Sequence, residues 1–120
     1  MDSFEYFCLI KNTSKRNITI RFSNSEILDT SILFHENWGL SINSNYTQRV
    51  NKDLDILHKE IYRGNYKKLY LFFLDQDTLL QLYKKGEMNN IIKQSFLQRQ
   101  LVDVNNIKET DTLFYTELIK

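Results

Sequence analysis

The residue types able to do chemistry are sparse in this chain, and each sits in a pattern that can be weighed against what that chemistry requires. Asp75-Gln76-Asp77-Thr78-Leu79 follows an apolar run. Two aspartates spaced this way at the end of a central parallel strand can serve phosphoryl transfer, the first as nucleophile and the second as acid and base. Enzymes of that kind place a residue, commonly Gly, between the second Asp and the Thr, and they carry a larger doubly wound domain. Here Thr78 follows Asp77 directly, in a chain of 120 residues. The segment reads instead as a strand end followed by the cap of a helix.

His35 and His58 are the two histidines. They lie far apart in sequence and outside any HExxH-type spacing, so solvated loop histidines are expected rather than metal ligands. Cys8 is the single cysteine, which excludes an intramolecular disulfide and a cysteine zinc site. It alternates with Phe4, Tyr6 and Ile10, as a buried strand residue would, and a buried thiol behaves as a small apolar group. Phe7 precedes it without the small residue or upstream apolar run that lipidation needs. Gly39, Gly64 and Gly86 stand apart, so no phosphate-cradling loop is formed. Asn12, Asn17 and Asn45 each begin an Asn-x-Ser/Thr pattern, frequent by chance in an Asn-rich chain. No catalytic centre, metal site or cofactor is expected.

Binding chemistry has more to work with. Between residues 58 and 68, Lys59, Arg63, Lys67 and Lys68 interleave with Tyr62 and Tyr66. That mixture can stack on single-stranded nucleic acid, but it reads equally as a solvated loop. The formal net charge of +1 supplies no global field for a polyanion, so no nucleic-acid partner is expected. Trp38, Tyr46, Tyr62 and Tyr66 are the candidate partner-binding residues, since Trp and Tyr are enriched among interface anchors. Core packing is the competing explanation for them.

The elements that would hold these residues follow from periodicity. Residues 4–10 alternate, and so do residues 17–23, with Ile18, Ile20 and Phe22 on one side. The polar Asn12 to Arg16 between them predicts a hairpin loop. Residues 24–45 read as a long connection with room for one short strand, residues 46–50 as a strand, and residues 51–65 as a loop, with a short helix as the alternative. Residues 68–74, Lys-Leu-Tyr-Leu-Phe-Phe-Leu, are apolar almost throughout, which predicts a central strand covered on both faces. A helix is expected next, capped by Asp77 and ended by Gly86 in a left-handed turn. Met88, Ile91 and Ile92 suggest a second helical piece. Residues 96–102 return to strand, Asp103 caps a turn that tucks Val104 and Ile107 inward, and residues 111–119 close as a strand.

Composition agrees with a β-rich domain. Eight Phe, seven Tyr and one Trp accompany many Ile and Leu; Ala and Pro are absent. Ala is the strongest helix former, and aromatic and β-branched residues favour strands. An apolar fraction of 42% at this length supports one core. No run is long enough for a membrane-spanning helix, and no signal peptide is visible. We therefore expect a single domain over residues 1–120. It is mainly β, a sandwich-like fold of about six or seven strands, with one to three short helices inserted late in the chain. An α+β arrangement is the alternative.

Two stretches carry a family resemblance. The first is Asn12-Thr-Ser-Lys with Ile18-Thr-Ile-Arg-Phe-Ser and Asp29-Thr-Ser-Ile32. The second runs from Leu69-Tyr-Leu-Phe-Phe-Leu-Asp75 through Asp77-Thr, Phe96-Leu-Gln-Arg-Gln-Leu101 and Asp103-Val-Asn-Asn-Ile107 to Leu113-Phe-Tyr-Thr. In this order they resemble a family of small, uncharacterised Bacteroidales proteins whose members are often lipoproteins. The likeness covers about two-thirds of the chain. Phe114-Tyr115 stands near the family's Trp, and Gln98-Arg99-Gln100 replaces its Lys-Arg-Tyr. The resemblance implies a non-enzymatic binding or structural module of the bacterial cell envelope, in the periplasm or at the outer membrane. Membrane attachment would then need a lipid anchor not seen in this sequence. The alternative is an immunity-type protein that neutralises a toxin by protein-protein binding, in which case a cytoplasmic location is possible. Both functions would act by surface complementarity on a protein partner.

Overall fold

A nearly continuous apolar run is stable as a strand only if both of its faces are covered, and residues 68–75 meet that condition. In a computed structural model of the chain, the described residues are 6–28, 40–51, 67–87, 90–108 and 110–117. Their elements are β1 (Tyr6–Asn12), β2 (Ile18–Ser23), β3 (Leu40–Ile42), β4 (Thr47–Asn51), β5 (Lys68–Asp75), α1 (Gln76–Lys84), α2 (Ile91–Ser95), β6 (Phe96–Asp103) and β7 (Thr112–Tyr115). The fold is mainly β, as composition implied, with both helices lying between β5 and the last two strands.

The strands form two sheets. One has the order β3-β2-β5-β6 and is antiparallel throughout. The other has the order β4-β1-β7, with β4 antiparallel and β7 parallel to β1. Cys8, Ile10, Val50 and Tyr115 from the three-stranded sheet share one buried cluster with Ile18, Ile20, Phe22, Leu69, Leu71, Phe73 and Val102 from the four-stranded sheet. The sheets therefore pack face to face, as in a sandwich. Aromatic pairs join them: Phe7 meets Phe22 edge-on at 5.7 Å, and Phe73 lies 5.2 Å from Tyr115. Such pairs add roughly 0.5–1.5 kcal/mol each beyond the area they bury.

The opposite face of β5 holds a second cluster. Phe72 and Leu74 pack there with Leu28, with Leu79 and Leu82 of α1, and with Ile91 of α2. Helices thus cover the outer face of the four-stranded sheet, and β5 is screened on both sides. The α1 boundaries have local causes. Asp75 is the N-cap and accepts the Thr78 amide at 3.1 Å. This corrects the expected cap at Asp77, which lies exposed in the first turn. The sheet carries the chain two residues less far before the helix begins. At the other end Gly86 has φ +70°, and the Gly86 and Glu87 amides bond back to the Tyr83 and Leu82 carbonyls. That paired closure needs a left-handed residue after the cap.

The expected hairpin between β1 and β2 is also corrected. Ile18, Ile20 and Phe22 of β2 and Cys8 and Ile10 of β1 turn into the core as predicted, but the two strands lie in different sheets. Residues 13–17 carry the chain over the edge of the sandwich rather than around a ladder. Asn12 holds this arch. It is fully buried, its Nδ2 donates to the Arg16 carbonyl at 2.7 Å and the Ile42 carbonyl at 3.1 Å, and its Oδ1 accepts the Ser14 amide and hydroxyl. A hydrogen-bonded loop of this kind satisfies its own backbone, so β1 does not need β2 as a ladder partner. In β1 a register shift between Tyr6 and Cys8 turns Phe7 inward beside Cys8, breaking strict alternation.

Later segments follow the reading closely. β3 is the short strand expected within 24–45, β4 starts one residue later than expected, and the Asp103 turn places Val104 and Ile107 against the core. The closing strand is shorter than expected, Thr112–Tyr115. The expected loop over 51–65 lies almost entirely outside the described residues. Among the described residues, no helix is long and apolar enough to cross a membrane.

Candidate functional site

Asp75 is fixed by structural duties. Its Oδ1 accepts the Thr78 amide, and its Oδ2 accepts Arg16 Nη1 at 2.6 Å. Arg16, in the β1–β2 arch, also donates through Nε to Glu117 beyond β7. The Arg16 guanidinium is held more firmly protonated than usual, chiefly by its hydrogen bond to Glu117, with burial opposing and Asp75 adding to the effect. This three-residue network ties the arch, the start of α1 and the end of the closing strand. With a donor on each oxygen, Asp75 is poorly placed to attack a substrate, and Asp77 is exposed in the first turn of α1.

Cys8 is equally committed to the core. It has no exposed surface, and burial pushes its thiol up to about 12, with the Asp111 charge adding to the effect. The thiolate is the reactive form of cysteine, so this thiol is chemically inert at neutral pH.

Among the described residues, a groove of ≈ 390 Å³ lies on the helix-covered side of the four-stranded sheet. Its floor is Phe72, only 2% exposed, and Leu28. Phe96, at the junction of α2 and β6, forms one wall and meets Phe72 edge-on at 6.3 Å. Ile92 and Ile27 also line it. Phe96 keeps 44% of its surface exposed and Ile27 77%, so the groove presents apolar surface to water.

Sequence order explains how the groove arises. Asn90 enters α2 with φ +65° and makes no side-chain cap bond. α2 lasts five residues and ends at Ser95, whose buried hydroxyl bonds back to the Ile91 carbonyl at 2.6 Å. Phe96 then switches at once to extended backbone, with φ −62° and ψ 129°. A short helix covers only part of the sheet, and the uncovered remainder is the groove. Arg99 of β6 donates to the carbonyl of Glu26, itself a lining residue, at 2.7 Å and lies 5.3 Å from the Tyr70 ring centre, which pins the 24–28 stretch to β6.

Of the four partner-binding candidates read from the sequence, Tyr46 is 65% exposed, just ahead of β4. It borders the three-stranded sheet, its carbonyl accepting the Asn12 amide, and does not line the groove. Trp38, Tyr62 and Tyr66 lie outside the described residues, as do His35, His58 and most of the basic 58–68 stretch. The groove residues Ile27, Phe96, Asn90 and Lys93 were not singled out by sequence reasoning. Ile27 falls there within the 24–45 connection and Phe96 at the start of a strand, and no local signal joins them. No family model, curated protein or solved structure matches the chain.

Proposed function

We propose that this protein is a non-enzymatic binding module that engages a protein partner through the groove over Phe72. The observation that carries this reading is the concave apolar surface itself: a buried aromatic floor with Phe96 and Ile27 still open to water. Burying apolar surface gains about 25 cal/mol per Å², and aromatic anchors in pockets dominate interface energetics. Asp75 and Cys8, the residues with the best claim to chemistry, support the non-enzymatic part, because both are occupied in holding the fold. For the setting we propose the bacterial cell envelope, which is supported by the resemblance of the two segments described above.

The test is affinity capture from bacterial envelope extract on immobilised protein, with Ile27→Glu and Phe96→Glu in parallel. A partner held by the parent protein and lost by both variants, with unchanged circular dichroism, supports the groove. Equal retention by both variants overturns it.

A further inference from the structure

The groove is not uniformly apolar, and its polar groups select among partners. Lys93 and Asn90 line it from the α2 side. Lys93 is exposed and forms neither of the ion pairs among the described residues, which belong to Arg16. The Asn90 side chain, exposed beside it, has no capping bond. One turn of helix thus offers an ammonium and a primary amide next to a wall made by Ile92 and Phe96. Glu26 also lines the groove: its carbonyl accepts from Arg99 and its exposed side chain is a carboxylate, so Lys93 is the one cation of the lining and Glu26 the one anion.

We propose that the groove takes a partner segment in which a large apolar side chain stands next to a carboxylate, either an Asp or Glu side chain or a chain terminus. The apolar side chain lies on Phe72 and Leu28 against Phe96. The carboxylate meets the Lys93 ammonium and the Asn90 amide N–H. A cavity of ≈ 390 Å³ holds one or two such side chains, not a folded domain, so the recognised element is a short segment. The inference rests on the binding function proposed above and adds the chemistry of the partner. A single-stranded nucleic acid fits less well: one groove cation and one partly exposed aromatic offer few of the phosphate and stacking contacts such ligands use.

The experiment is selection of a randomised 12-residue phage-displayed peptide library on the whole protein, followed by fluorescence-anisotropy titration of the selected peptides. Peptides pairing Leu, Ile or Phe with Asp or Glu are expected to dominate. Lys93→Glu should weaken them by about tenfold or more, since it places like charges together. Lys93→Arg should restore binding, and added salt should weaken it. Groove-dependent peptides with no acidic bias, or indifferent to Lys93→Glu, would overturn this inference and leave the binding function standing. Peptides that bind equally well to Ile27→Glu and Phe96→Glu would overturn both. Tighter binding of oligo(dT) than of any selected peptide, lost with Lys93→Glu, would overturn the peptide in favour of nucleic acid. Because Lys93 and Ile27 are exposed, their substitution leaves the core untouched.

Discussion

The two sheets share one core but differ on their outer faces. The outer face of the four-stranded sheet is apolar where β5 crosses it: Phe72 and Leu74 face α1 and α2 there, with Phe96 of β6 opposite Leu74. The outer face of the three-stranded sheet carries Lys11 beside Thr47 and Phe114, and Leu9 beside Arg49 and Thr112. Lys11, Thr47, Arg49 and Phe114 are all exposed. A strand apolar on both faces demands a second layer, whereas an alternating strand can leave one face to water. The groove arises on the side that demanded cover, because a five-residue helix supplies it only in part.

That contrast yields predictions that would break or sharpen it. The largest effect belongs to the core between the sheets. Phe73→Ala should cost about 3–5 kcal/mol in urea unfolding, and Leu74→Ala, on the helix side, about 2–5 kcal/mol. If Leu74→Ala costs less than 1 kcal/mol, the helix layer is not a true second core.

The arch comes next. Asn12→Ala removes the side-chain donor to the Ile42 and Arg16 carbonyls and the acceptor of the Ser14 amide and hydroxyl, and should cost about 2 kcal/mol. A cost near zero would mean that the crossing between sheets does not depend on this side chain.

Alkaline pH probes the inner face. The Cys8 thiol is pushed up from 9.0 to about 12, so above pH 9 the unfolded chain loses a proton that the folded chain keeps. This contribution to stability is intact below pH 9. It should fall by about 1.4 kcal/mol per pH unit between 9 and 12. Cys8→Ala should remove that slope, whatever its own cost. An unchanged slope would place the thiol in contact with water.

A smaller effect is expected at the junction of the layers, where Asp75→Ala should cost about 1 kcal/mol through the lost helix cap. Thermal denaturation followed at 222 nm would read it. Smallest of all, Phe114→Ala on the open sheet face should change stability by no more than about 0.5 kcal/mol. A loss as large as that of Phe73→Ala would abolish the distinction between the two outer faces.

Local pattern alone was enough to read most of the strands, because alternation and apolar runs report burial directly. Ile18, Ile20 and Phe22 on one side of β2, the doubly covered 68–74 run, the Gly86 stop and the Asp103 turn all depend on neighbours within a few residues. The helix cap was read two residues late, since Asp75 and Asp77 are equivalent as capping chemistry. Which one acts depends on how far β2 and β6 hold β5 in the sheet.

What no stretch of sequence carries is the choice of strand partner. β1 and β2 have the alternation of a hairpin, yet β1 pairs with β4 and β7, because a hairpin and an arch bury the same inward residues and differ only in which ladder closes. The groove has the same origin. Ile27, Phe72 and Phe96 come from three separate segments, and each reads by itself as an ordinary strand or loop residue. The composition determined that this chain would bury a β-rich core with one strand in its middle. Tertiary packing alone decided which apolar residues would be left at the surface, because exposure depends on how far a short helix reaches across the sheet it covers.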